Sequence, residues 1–203
     1  MEEKHLTTQE SIDLIAKMIE NTRRNFNDKG GAMFLIWGYA TIAVTVAVSA
    51  AFWFTRDYAT MWLWWALPVT GSIFMWLHYR KYKKPVQTHL DKAVNYVWIV
   101  FAMGCVACAA FSFVSSAIAG KPLINTLFTI GLMIGMATAL TGLMIKFKPV
   151  AIGGFAGMAL SFTIPFFPNM WQFALFAAIF LVAQIVPGHL LNRACRKEAQ
   201  ERR

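Results

Sequence analysis

Charge in this chain is confined to its two terminal segments and to short breaks between six apolar runs, and that segregation restricts its fold more than any motif does. An α-helix rises about 1.5 Å per residue, so crossing a hydrocarbon layer of about 30 Å takes about 20 apolar residues. Residues 32–54, 61–79, 93–119, 125–145, 150–167 and 170–191 meet that requirement. Charged residues make up 14% of the 203 positions, against about 25% in an ordinary soluble domain. None of the runs alternates apolar and polar residues as a membrane β-strand does. The expected fold class is an all-α membrane protein with six transmembrane helices.

The cations give these spans a direction. With the first residues on the cytoplasmic side, that side receives Lys4, Lys17, Arg23, Arg24 and Lys29. It also receives Arg80, Lys81, Lys83, Lys84 and Lys92, then Lys146 and Lys148, then Arg193, Arg196, Lys197, Arg202 and Arg203. These are seventeen of the nineteen lysines and arginines, leaving only Arg56 and Lys121 outside. Basic loops are retained in the cytoplasm during insertion, so the expected location is a cytoplasmic (inner) membrane with both termini inside. The tryptophans agree, since all eight fall near span ends, where the indole ring is shielded and its N–H stays hydrated. The run RKYKKPVQTHLDK (80–92) then reads as a topology determinant that also attracts anionic lipid heads. No nucleic-acid motif accompanies it, and no nucleic-acid partner is expected.

Residues 1–30 lack the short apolar run of a secretory signal. They read instead as a cytoplasmic amphipathic helix, opened by a possible capping box at Thr7 and Glu10, with Ile12, Ile15, Ile19 and Phe26 on one face. A break is expected at Lys29-Gly30-Gly31, and residues 8–28 are the candidate docking segment for a cytosolic protein. Residues 193–203 form a basic tail.

Helices in lipid gain nothing hydrophobic by meeting, so close contact depends on small side chains at every fourth position. The third span carries Gly104, Cys108, Ser112 and Ser116, the fourth Gly131, Gly135 and Ala139, and the fifth Gly153, Gly157 and Ser161. Ala43, Ala47 and Ala51 form a milder stripe in the first. These stripes predict packing within the chain or in a homo-oligomer; lining of a substrate path is the alternative.

No Asp, Glu, Lys or Arg falls well inside a span, which argues against ion-coupled transport. Gln184 is the most polar side chain away from a helix end, and Pro187-Gly188 predicts a kink that frees a carbonyl beside His189. Gln184, His189 and His78 are therefore the candidate ligand-binding residues. Cys105-Val-Ala-Cys108 could serve thiol redox chemistry, but an outward-facing thiol pair to complete it is missing. His78, His89 and His189 share the inner side without the spacing of a metal site. Neither a nucleophile elbow nor a phosphate-binding loop occurs, so no catalytic residue and no cofactor are expected.

FLIWGY (34–39), DKAVNYVWIVF (91–101), ATALTGLMIKFKPVAIGG (137–154) and IVPGHLLN (185–192), with QESIDLIAKMI (9–19), span nearly the whole chain. In these stretches the chain resembles a family of small uncharacterised bacterial integral membrane proteins with six spans and a polar N-terminal helix. The resemblance implies the six-span layout and no site residues. The expected function is non-enzymatic, with a cytoplasmic face that docks or regulates a partner. A small-molecule transporter or channel is the alternative, and a membrane thiol-redox or metal enzyme the third reading.

Overall fold

A computed structural model describes residues 8–80, 89–167 and 170–200. Its elements are α1 (Thr8–Thr55), a 3-10 segment (Tyr58–Trp65), α2 (Ala66–Arg80), α3 (His89–Ala119), α4 (Thr126–Met144) and α5 (Lys148–Ser161). A short 3-10 turn (Ile164–Phe166) leads to α6 (Met170–Phe180), which a π-helical turn (Leu181–Ile185) joins without a break to α7 (Val186–Gln200). Among the described residues five helices are long and apolar enough to cross a membrane: Gly31–Thr55, His89–Ala119, Thr126–Met144, Lys148–Phe166 and Met170–Lys197. The chain is a helical, multi-pass membrane protein in contact with the bilayer. Residues 1–7, with Thr7 of the expected capping box, residues 81–88, 168–169 and 201–203, and the side chains of the expected docking face at 12, 15, 19 and 26 lie outside the described residues.

The second expected span differs from its expectation. Residues 61–79 do not form one α-helix: the first five belong to the 3-10 segment, and α2 has only fifteen residues. The physical reason is local. Arg56 takes a left-handed φ of 54° and its N–H closes α1 on the Phe52 carbonyl at 2.9 Å. Asp57 then caps a new start, its carboxylate accepting from Ala59 N–H at 2.9 Å, while Thr60 Oγ1 donates to the Asp57 carbonyl at 2.7 Å. Three residues per turn align Met61, Trp64 and Leu67 on the side that packs against Val44, Val48 and Phe173. Pro68 has no N–H to give the preceding turn, so the α-pitch begins around it, in the first turn of α2.

The break expected at Lys29-Gly30-Gly31 is absent, because α1 continues through it for 48 residues. Gly31 answers a packing demand: a Cβ there would fall on the Asn192 side chain and 3.2 Å from the Gly188 carbonyl of α7. The buried face of α1 runs through Gly31, Phe34, Gly38, Thr41, Val44, Thr45 and Val48, while Ala43 and Ala47 are exposed.

The interior is built by α1, α4, α5 and the α6–α7 rod. Toward the end that carries the α4–α5 turn, Phe34, Val94, Ile145, Val150 and Leu191 cluster; Ile134, Ile164, Phe176, Ile179 and Phe180 form the centre; Val44, Val48 and Phe173 fill the opposite end. The third helix lies at the edge of this core, to which it contributes Val94. Only Val94 and Ser115 of α3 are buried, and it leans on α4 with Trp98 edge-on to Phe34.

The α4–α5 hairpin is the tightest pairing. Lys146, at φ 54°, takes the left-handed position that ends α4. Its N–H reaches the Leu143 carbonyl at 3.2 Å and the Phe147 N–H the Gly142 carbonyl at 3.0 Å, so two carbonyls of the last turn are satisfied. Pro149 then starts α5 within its first turn.

Candidate functional site

The glycine-bearing helices approach on two different faces of α5. Toward α4, a Cβ on Gly135 would lie 2.6 Å from Met158 N and 2.9 Å from the Gly154 carbonyl. One on Gly154 would fall on the backbone of Ala139, and one on Gly142 on the backbone of Ala151. Gly131 faces Ser161 Cβ at 3.2 Å. Toward the π turn, Gly157 faces Ala183 Cβ at 2.9 Å, and Gly153 faces the Val182 carbonyl at 2.9 Å and Pro187. The three expected α5 residues are thus divided, Gly153 and Gly157 to one neighbour and Ser161 to the other. On α3, Gly104 meets Met133, Ser112 Oγ accepts from Thr126 Oγ1 at 3.0 Å, Ser116 donates to the Ser112 carbonyl at 2.8 Å, and Cys108 is half-buried.

This close packing isolates one polar group at mid-depth. Gln184 is fully buried in the π turn, and its Nε2 donates to Thr138 Oγ1 at 2.9 Å. Its Oε1 is buried and has no hydrogen-bond partner among the described residues. The other interior hydroxyls look inward to their own helices: Thr41 donates to the Trp37 carbonyl at 2.8 Å, Thr45 to Thr41 at 2.7 Å and Thr141 to Ala137 at 2.7 Å. Gly38 admits Gln184, whose Cβ lies 3.1 Å from where a Gly38 Cβ would stand.

The π turn has a cause in Pro187. Its ring would clash with a carbonyl one α-turn earlier, and it offers no N–H. Widening the turn relieves the clash, and Val186 N–H goes to the Leu181 carbonyl. The α- and π-spaced donors of Val182 are then Val186, already committed, and Pro187, which has none. The Val182 carbonyl, for which Pro187 would be the π-spaced donor, lies against Gly153 of α5.

His189 is exposed and pairs elsewhere, its Nε2 2.9 Å from the Tyr39 hydroxyl with the rings edge-to-face. The structure brings Gln184 to Thr138 and His189 to Tyr39. The side chain of His78 lies outside the described residues, and α2 rests on α1 and the 3-10 segment. Among the described residues no three His, Cys, Asp or Glu side chains group closely enough to hold a metal, and no disulfide joins Cys105, Cys108 or Cys195. Sequence reasoning missed Thr138 and Tyr39, which only the register of α4 and α1 against the last rod reveals.

An unpaired buried carbonyl costs roughly 1–3 kcal/mol, whereas a polar pair between membrane helices contributes about 0.6 kcal/mol. Gln184→Met is therefore expected to stabilise the bundle by about 1 kcal/mol, read from unfolding in mixed micelles. Destabilisation of that size would mean that the amide oxygen has a partner in the membrane.

No family model, no curated protein and no solved structure matches this chain.

Proposed function

We propose that the chain is a non-enzymatic integral protein of a cytoplasmic membrane, crossing it six times with both ends on the basic inner side, and that the first part of α1 docks a cytosolic partner. One observation carries the docking role. Helix α1 is 48 residues long, about 72 Å, whereas its apolar part Gly31–Thr55 covers only 25 residues. The remainder prolongs the membrane helix as a rigid rod of about 34 Å. A partner held there is coupled to the bundle without a joint.

The sixth crossing is supported by the register of the 3-10 segment and α2. Met61, Trp64 and Leu67 pack near Val48, while Gly71 lies against Trp37, so α2 descends antiparallel to α1. The Arg56 guanidinium lies 4.9 Å from the Trp53 ring, and that of Arg80 lies 4.4 Å from Trp76. Such pairs suit the headgroup boundary. The path from Tyr58 to Trp76 between them is about 32 Å, close to the hydrocarbon thickness. An even number of crossings also leaves the cations of residues 80–92, of the α4–α5 turn and of the tail on one side, facing anionic lipid heads.

Single cysteines placed at 86 and 200, with Cys105, Cys108 and Cys195 replaced, are expected to resist an impermeant thiol reagent in intact cells, while cysteines at 57 and 121 react. Labelling of 86 and 200 from opposite sides overturns the topology. Deleting residues 8–28 should leave insertion intact and remove a cytosolic protein that copurifies with the full chain; an unchanged set of copurifying proteins overturns the docking role.

A second reading is a small-molecule transporter, favoured by the interrupted helix and the unpartnered Gln184 oxygen at mid-depth. Uptake into proteoliposomes that Gln184→Met abolishes would favour it over the first.

A further inference from the structure

The α4–α5 turn and α7 flank an open groove of about 570 Å³ lined by Phe147, Pro149, Leu190, Arg193, Ala194 and Lys197. Its two ends differ in chemistry. Leu190 and Ala194 are one turn apart on α7, and with Phe147 and Pro149 they make apolar walls. Arg193 and Lys197, likewise one turn apart on the same helix, are exposed beside them. The groove lies where the last membrane-length helix, Met170–Lys197, ends, beside a turn that carries Lys146 and Lys148. Hydrocarbon thus meets the apolar walls, and water or headgroups meet the cations.

We propose that this groove seats one anionic phospholipid, its phosphate between Arg193 and Lys197 and the first methylenes of an acyl chain along Leu190, Phe147 and Pro149. A free phosphate would leave the apolar walls wet, and an acidic peptide would have to enter the acyl layer. A phospholipid satisfies both ends at once. The guanidinium offers paired N–H donors to phosphate oxygens and the ammonium a second charge one turn away. Each cation near the surface contributes about 1 kcal/mol toward an anionic lipid, so removing both should weaken retention about thirtyfold. The inference rests on the proposed topology only for the choice of the inner leaflet.

The test uses the full chain in mild detergent, offered equal amounts of phosphatidylglycerol and phosphatidylcholine and read by native mass spectrometry. The wild type is expected to retain one phosphatidylglycerol in preference to phosphatidylcholine. The R193Q/K197Q variant should lose that retention about thirtyfold, while R56Q/K121Q, altered at two cations far from the groove in sequence, keeps it. A Leu190→Ser variant should weaken retention with both cations present. Equal retention of the two lipids by the wild type, or unchanged retention by R193Q/K197Q, overturns the site, as does inorganic phosphate alone stabilising the wild type against heat as much as phosphatidylglycerol does. Detergent exposes both ends of the bundle, so failure here is distinct from a failed topology, which thiol labelling reports.

Discussion

Gly154→Ala is expected to unfold the α4–α5 hairpin or to force its helices apart, and Gly142→Ala to do the same. The added methyl at 154 falls on the Ala139 backbone and that at 142 on the Ala151 backbone, neither of which can turn away as a side chain could. Overpacking a well-filled interior costs typically 1–3 kcal/mol, and more where backbone must move. Both replacements should therefore lie at or above that range. Gly104→Ala is the internal control: its methyl meets only the terminal methyl of Met133, a flexible side chain, so its cost should stay below about 1 kcal/mol. Gly157→Ala, 2.9 Å from a side-chain Cβ, should fall between. Unfolding midpoints in mixed micelles check the order. Equal losses at 154 and 104 would mean that α4 and α5 do not touch along their backbones.

Deleting Tyr58–Trp65 should have the other large effect, on topology. The fifteen residues of α2 reach only about 22 Å, short of a hydrocarbon layer of about 30 Å. The eight residues of the 3-10 segment add about 16 Å at the longer rise of that helix. If the chain crosses six times as proposed, α2 cannot cross without them, and the basic run 80–92 should remain on the side where α1 ends. A reporter at position 86 should then change sides, with the anchoring of Trp64 on Phe176 lost as well. A reporter that stays in place would show that α2 inserts by itself and that the 3-10 segment lies outside the hydrocarbon layer.

The apolar runs and the α4–α5 turn were legible because hydrophobic length, Lys146 and Pro149 are local signals. The pitch of residues 58–65 was not, since composition says that a segment is apolar and not how it winds. The three-residue spacing of Met61, Trp64 and Leu67, with Pro68 after them, is the trace the 3-10 coil leaves in the sequence. Gly31 misled because glycine at a polar boundary suggests a break, while its role is set by Asn192, which lies 161 positions later in the chain. The α5 glycines misled in part for a related reason. A rule of every fourth residue finds one stripe, but α5 lies between two neighbours, and Gly154 serves α4 while Gly153 and Gly157 serve the π turn. At the candidate site Gln184 and His189 were visible as polar residues in an apolar run. Their partners Thr138 and Tyr39 belong to other helices, and nothing local announces which rung of each helix comes level with them.

The continuity of α1 has a torsional consequence. Successive residues on a helix are set about 100° apart, so winding the Thr8 end of α1 by one position would swing Gly31 off the Asn192 side chain and Gly38 off Gln184. Any larger residue rotated into either place would strike α7 or the π turn. Torque applied near Thr8 is therefore carried along an unbroken helix to the buried amide of Gln184, whose Oε1 has no hydrogen-bond partner among the described residues.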